Sequence, residues 1–339
     1  MRAAEIGRRY VDFFAARDHT VVPSASLLYN DPTLLFVNAG MVPFKPYFTG
    51  AEPAPFRRAV SLQKCVRTLD IEDVGKTTRH GTFFQMCGNF SFGDYFKEGA
   101  IDLAWGLLTS PQSEGGYGLD GDRIWVTIWE NDDVSYDSWT KTIGLDPKHV
   151  VKLTREEIFW STGQPGPAGP CAEIHYDRGP DFGPEAIGGT VDPGGDRYLE
   201  IWNLVFTQYN RTKDGKYEPL AKKNIDTGCG LERLASVIQQ KESNFETDLI
   251  FPIIEKVIAI SGGDYNDPRQ KMAMKVIADH IRAITFMISD GILPSNEGRG
   301  YVLRRILRRA VRFGRLLGIS HLPVCVNGLQ DLLDTPAGA

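Results

Sequence analysis

The chain has 339 residues, 42% hydrophobic and 24% charged, which are the proportions of an ordinary soluble protein with one large or two medium domains. A formal net charge of −5 removes global basicity as a route to nucleic acid, yet Arg299, Arg304, Arg305, Arg308, Arg309, Arg312 and Arg315 crowd one short segment. Five cysteines without a CxxC spacing argue against a disulfide framework and for a reducing, cytoplasmic compartment, and the absence of a signal-peptide core or a bilayer-length apolar run argues against a membrane partner.

Ile6, Tyr10, Phe13 and Phe14 fall on one helical face and predict an amphipathic helix over residues 3–17. Residues 34–38 (LLFVN) predict a short strand between Asp-Pro and Ala-Gly turn signals. Residues 61–68 predict a strand that passes through a polar loop at 70–78 to a partner at 83–92. A helix follows at 99–108, then a buried strand at 124–129 (IWVTIW). Residues 163–170 read as a Gly/Pro loop that cannot be helix, 199–210 as the longest strand, and 225–230 as a turn into a helix at 231–240. Helices are expected at 248–261, 269–289 and 301–318. Strands followed by a block of helices predict an α+β domain and then a helical one, with the boundary near 262–267. Residues 331–339 show no pattern.

The stretch RHGTFFQMCGNFSFGDYF from Arg79 opens with a basic pair and sets aromatics among Asn89, Ser91, Gly93 and Asp94. That mixture suits a surface that stacks a flat ligand and hydrogen-bonds a polar one, although an aromatic hairpin core would carry the same spacing. Gly75-Lys76-Thr77 is not a phosphate loop, because Asp70 stands where that motif needs glycine. DTGCGLERL from Asp226 is more informative. Its glycines permit close backbone approach, the following helix aims its positive end back at them, and Arg233 in the first turn suits a phosphate. Arg67, at the end of the strand paired with the Phe-rich one, is a second candidate phosphate ligand. Cys171 and His175 lie four apart in an expected strand-entry loop without further ligands, so no zinc site forms; Glu200 leaves room for a magnesium ion bridged to phosphates. Leu303, Ile306, Leu307, Ala310, Gly314 and Leu317 form an apolar stripe beside an arginine face. No acid lies between Arg299 and Arg315 to neutralise it, which favours phosphate-backbone binding over a solvated face.

Taken together, NDPTLLFVNAGM from Asn30, the Arg79 block, GPAGPCAEIHYD from Gly166, EIWNLVFTQYNR from Glu200, DTGCGLERL and DGILPSNEGRGYVLRRILRRAVRFG from Asp290 resemble the class II aminoacyl-tRNA synthetases, and among them the alanyl-tRNA synthetase family. The resemblance implies an α+β fold, an antiparallel sheet flanked by helices over residues 1–262, followed from 263 to 339 by the start of a helical tRNA-recognition domain. It implies activation of L-alanine by ATP with Mg²⁺, without zinc in this part, and transfer to the 3′ end of tRNA(Ala), bound by its acceptor stem. By the same resemblance Arg67 contacts the α-phosphate and the alanine carboxylate, Phe84 stacks on adenine with Met86 beside it, and Arg233 contacts the γ-phosphate. Trp160, Asn203, Asp226 and Gly228 line the alanine pocket, with Asp226 on the ammonium, and Glu200 is the magnesium ligand. Asn296 reads the G·U pair of the acceptor stem while Arg304, Arg305, Arg308, Arg309 and Arg312 hold phosphates. Gln85 stands where many members carry glutamate, and Ala168 where glycine is common. A complete family member continues into further helices, an editing domain and a C-terminal domain, so a catalytic fragment is expected. Two other readings stay open: a non-catalytic nucleic-acid-binding module, and a synthetase-like enzyme for another small amino acid. Oligomeric state is not legible.

Overall fold

The structure is a computed structural model that describes residues 1–31, 34–161, 165–184 and 196–319. Its centre is a nine-stranded sheet. The strands are β1 (Thr20–Val21), β2 (Arg58–Val66), β3 (Phe83–Phe92), β4 (Ile124–Trp129), β5 (Val150–Leu153), β6 (Phe159–Ser161), β7 (Gly166–Asp177), β8 (Tyr198–Arg211) and β9 (Tyr217–Gly230). Their order is β1-β2-β3-β9-β8-β7-β4-β5, with β6 on β7. The interior of the sheet is antiparallel, and β1–β2 and β4–β5 add one parallel pairing at each edge.

Helices flank it: α1 (Ala3–Ala15), α2 (Lys45–Thr49), α3 (Lys97–Thr109), α4 (Asp133–Asp137), α5 (Leu231–Ile238), α6 (Phe251–Ser261), α7 (Pro268–Ser289) and α8 (Gly298–Leu316). The apolar stripe of α1 is buried at Ile6, Tyr10, Phe13 and Phe14 and packs with α3 and the strand residues Trp202 and Phe206 into the largest core. On α8 the buried residues are Gly300, Leu303, Ile306, Ala310 and Gly314, of which Leu303, Ile306 and Ala310 cluster with Ala283 and Met287 of α7 and with Phe83 and Val66 of the sheet. No helix among the described residues is long and apolar enough to cross a membrane.

Strand alternation sorts the aromatics of β3. Phe84 and Met86 are half-exposed on one side, while Phe83 turns to the other and stacks on Phe286 of α7 at 4.2 Å between ring centroids. Phe90 and Phe92 are core residues, packed on Phe44 and Phe48. One stretch therefore supplies both a partly exposed aromatic face and a core.

Three sequence expectations are corrected. Residues 34–38 form no strand. Val37 makes single backbone bonds to Leu27 and Val66, and the carbonyls of Leu34, Leu35 and Asn38 accept from the side chains of Arg299 and Arg67, so no ladder forms. Residues 166–170 are not loop but the start of β7, which places Cys171 and His175 inside a strand; the register slips between Ala168 and Cys171 to accommodate Gly169, where a Cβ would lie 1.9 Å from the Phe206 carbonyl oxygen. Residues 225–230 are not a turn but the end of β9, which equals β8 in length at 14 residues. Residues 163–164 of the expected loop, Cys325 and the unpatterned 331–339 lie outside the described residues.

Candidate active site

The amino-terminal half of β8 and the end of β9 continue the sheet beside β3, and the segment between β2 and β3 borders them. The result is a cavity of about 240 Å³ lined by Arg67, Phe84, Met86, Trp160, Glu200, Asn203, Asp226, Gly228 and Arg233. Residues spread over more than 160 positions of sequence thus meet in one place. Pairing explains how: Asn203 stands opposite Gly228 and Val205 opposite Asp226 across β8–β9, so all four share a face.

One end of the cavity is cationic and aromatic. The Arg67 guanidinium sits 5.0 Å from the Phe84 ring centroid, and its Nε donates to the Asn38 carbonyl at 3.2 Å. Arg233, in the first turn of α5, donates from Nη1 to Glu200 Oε2 at 2.7 Å and to the Glu200 carbonyl at 3.2 Å, which aims it into the cavity. Burial raises the Glu200 carboxyl, but Arg233, His175 and Arg67 outweigh it, so Glu200 titrates below the usual range and is ionised. Arg79 and His80 line the same end. Burial, with Arg233 and Arg79 nearby, lowers the His80 pKa despite Asp70, so His80 is neutral at pH 7. The sequence marked these two only as a basic pair.

The other end is a small polar nest with an apolar wall. Asp226 is only 6% exposed, and no hydrogen-bond or ion-pair partner for its carboxylate stands among the described residues. Burial alone pushes its pKa to about 7. Asn203 donates from Nδ2 to Glu173 Oε1 at 3.1 Å, which leaves its Oδ1 buried and unpartnered. Two acceptors therefore lack a donor at the same place. Trp160 packs with Ile158, Cys171 and Val205 as the apolar wall. A Cβ at Gly228 would approach Met86 Sδ to 2.8 Å, so the bare backbone keeps the floor open. Sequence reading missed Val205 and the orienting role of Glu173; strict alternation from Asn203 along β8 could have found the first.

Beneath the cationic end lies a buried ion pair that the sequence reading also missed. Arg282 Nη1 of α7 meets Glu232 Oε1 at 2.6 Å, with both side chains 4% exposed. The Glu232 carboxylate also accepts the Gln85 amide at 3.1 Å, and Gln85 Oε1 accepts from Arg282 Nη2 at 3.4 Å. A neutral amide thus suffices at position 85, where the resemblance led one to expect glutamate. Among the described residues no group of three or more His, Cys, Asp or Glu side chains could hold a metal ion.

The arginines of α8 divide. Arg304, Arg308 and Arg312 are exposed, and Arg304 donates to Asn296 Oδ1 on the surface. Arg305 pairs with Glu72 at 2.9 Å. Arg309 is 13% exposed, turned inward between His280 and Glu72. An acid does reach the arginine face, from the β2–β3 segment rather than from the helix itself.

Comparison with known proteins gives the family. The family described as tRNA synthetases class II (A) matches residues 5–332. An alanine–tRNA ligase of Arthrobacter sp. (strain FB24) is 55% identical over 335 residues, covering 94% of this chain and 37% of that relative. An alanine–tRNA ligase of Streptomyces avermitilis is 54% identical, covering 98% of this chain and 37% of its own length. The chain therefore spans a little over a third of the length of the curated relatives it matches. On the match over nearly its whole length, the chain belongs to the class II tRNA synthetase (A) family.

Proposed function

We propose that this chain carries the alanine-activating and acceptor-stem-binding part of an alanine–tRNA ligase. The single observation behind the choice of substrate is the unpaired, buried Asp226 beside the free oxygen of Asn203. Two acceptors walled by Trp160 and Val205 suit a primary ammonium with a small side chain. The relatives' printed activity supports the same reading.

In the first step an alanine carboxylate oxygen attacks the α-phosphorus of ATP, a P–O bond forms, and the bond to pyrophosphate breaks. The nucleophile is already ionised, so no general base is needed; positioning and charge neutralisation carry the step. Asp226 and Asn203 hold the ammonium, Arg67 faces the α-phosphate and carboxylate, and Phe84 and Met86 receive the adenine. Arg233 faces the terminal phosphate with Glu200 behind it. In the second step a ribose hydroxyl of the tRNA 3′ end attacks the adenylate carbonyl and AMP leaves. Magnesium, when bound, supplies charge neutralisation at the phosphates. Glu200 would hold it together with phosphate oxygens, a fit for an ion that prefers one or two carboxylates plus substrate oxygens.

Pyrophosphate exchange run with each of the twenty amino acids tests the reading. Alanine should give the highest kcat/KM. Serine and glycine should support weaker but measurable exchange, because a methyl or hydroxyl difference contributes only about 1–3 kcal/mol of discrimination. Exchange that is fastest with a large side chain, or none with any amino acid, would contradict it.

We infer further that the acceptor stem lies along α8. The exposed Arg304, Arg308 and Arg312 are its phosphate contacts and Asn296 its base contact, whereas Arg305 and Arg309 are engaged with the protein. A division near residue 262 into catalytic and helical parts fits this, with α7 reaching back to the cavity through Arg282. Replacing Arg304, Arg308 and Arg312 by alanine should lower the salt slope of log K for an acceptor minihelix by about two to three, and leave exchange intact. An unchanged slope in filter binding across a salt series would return the helix to a solvated face.

A further inference from the structure

The arginine-rich helix is tied to the nucleotide end of the cavity by a buried chain of hydrogen bonds. Asp279 and His280 follow one another on α7 and are both buried. Asp279 Oδ1 accepts the Thr82 amide at 2.8 Å, and the Thr82 carbonyl accepts the Arg67 amide at 2.9 Å. Asp279 Oδ2 lies 2.8 Å from His280 Nδ1, and His280 Nε2 lies 2.9 Å from Arg309 Nη1. A second strap runs outside, where Glu72 takes Arg305 at 2.9 Å and Arg309 at 3.9 Å. Thr82 and Glu72 both belong to the segment between β2 and β3, which also carries Arg67, Arg79 and His80.

The polarity of the chain is fixed by its last member. A guanidinium has donors only, so His280 Nε2 must accept. The ring proton is then on Nδ1, and both oxygens of Asp279 must accept, one from the ring and one from Thr82. No step can be reversed without breaking another. Such a directional network holds its members in one relative arrangement.

We propose that Asp279 and His280 are positioning residues. They set the phosphate-binding segment around Arg67 at a fixed distance from α8, so that the seat of the arginine helix determines ATP binding. The proposal rests on the reading of that segment as the ATP site. Of the alanine ligands it touches only Arg67; the ammonium ligands Asn203 and Asp226 come from β8 and β9.

The test is a double-mutant cycle. In Asp279→Asn the side-chain oxygen can still accept from Thr82, but its NH₂ then faces the ring N–H of His280. The ring loses that bond or takes the other tautomer, which sets a second N–H against Arg309. ATP KM in pyrophosphate exchange should rise about tenfold, or about 1.4 kcal/mol, with alanine KM, which shares only Arg67, raised clearly less. Arg309→Met should raise ATP KM about threefold. In the double variant His280 is free to switch tautomer, so ATP KM should be no worse than in Arg309→Met alone. Multiplicative effects of about thirtyfold, or a kcat loss with both KM values unchanged, would mean packing alone and overturn the proposal. If the parent shows no exchange with any amino acid, the functional reading fails separately. Dissociation constants for labelled ATP by equilibrium dialysis then test the same ordering of variants. A parent that binds no ATP sinks both.

Discussion

Arg233→Ala is expected to lower alanine-dependent pyrophosphate exchange by about two to three orders of magnitude. The variant removes a preorganised charged donor from the phosphate end, and loss of one such donor typically costs about 3–4 kcal/mol of transition-state stabilisation. The cost here has a second part. Glu200 loses its 2.7 Å partner and is left as an ionised carboxylate facing incoming phosphates. Arg67→Ala, whose guanidinium lies over Phe84 and pairs with no acid among the described residues, lacks this second part and should lose less. Initial rates at saturating ATP and alanine measure this. A folded Arg233→Ala within about threefold of the parent would remove the residue from the mechanism.

Asp226→Asn is expected to stabilise the empty protein and impair it at once. The folded pKa of about 7 lies above the unfolded value of about 3.9. Below pH 4 the carboxyl is neutral in both states and its contribution is fully present. As pH rises from about 4 to 7 the unfolded chain releases the proton while the folded chain keeps it, so stability falls across that window and levels off above the folded pKa. Three pH units correspond to about 4 kcal/mol. The amide does not titrate, so the variant should unfold like the parent at pH 4 and clearly above it at pH 8. Function moves the other way. The ammonium binds the ionised form, so the parent's alanine KM should fall from pH 5.5 to 8 and flatten above about 7. The variant's KM should be flat and at least about tenfold higher at pH 8, since a bond to a charged group contributes about 1.5–3 kcal/mol. A parent with a pH-independent alanine KM would contradict the assignment.

The elements with strong periodicity were legible in the sequence: α1, the β2–β3 hairpin, β4, β8 and the helices after residue 230. What was hidden shares a cause. β9 contains Pro219 and a run of lysines, poor strand formers on their own, and becomes a strand because β8 supplies a partner from Arg211 to Trp202. The start of β7 is rich in glycine and proline and is a strand because a bulge lets Gly169 approach the Phe206 carbonyl. In both cases tertiary pairing overrides local preference. Of the cavity-lining residues, Arg67, Glu200 and Arg233 were visible from residue type, whereas Trp160, Asn203, Asp226 and Gly228 were named only through the family resemblance. Glu173, Glu232, Asp279, His280 and Arg282 were not, because they act by contacts made across long sequence separations, such as the 197 positions between Thr82 and Asp279.

Isothermal titration of the chain with alanyl-sulfamoyl-adenosine, a stable stand-in for the adenylate, tests the central claim most directly, because it asks the two ends of the cavity to act together on one ligand. The account predicts tight one-to-one binding, weaker binding of the glycyl and leucyl counterparts, and, at pH 7, release of roughly half a proton as the ligand ammonium ionises Asp226, a release absent in Asp226→Asn. Binding of the leucyl compound as tightly as the alanyl one, or identical proton release in parent and variant, would contradict it.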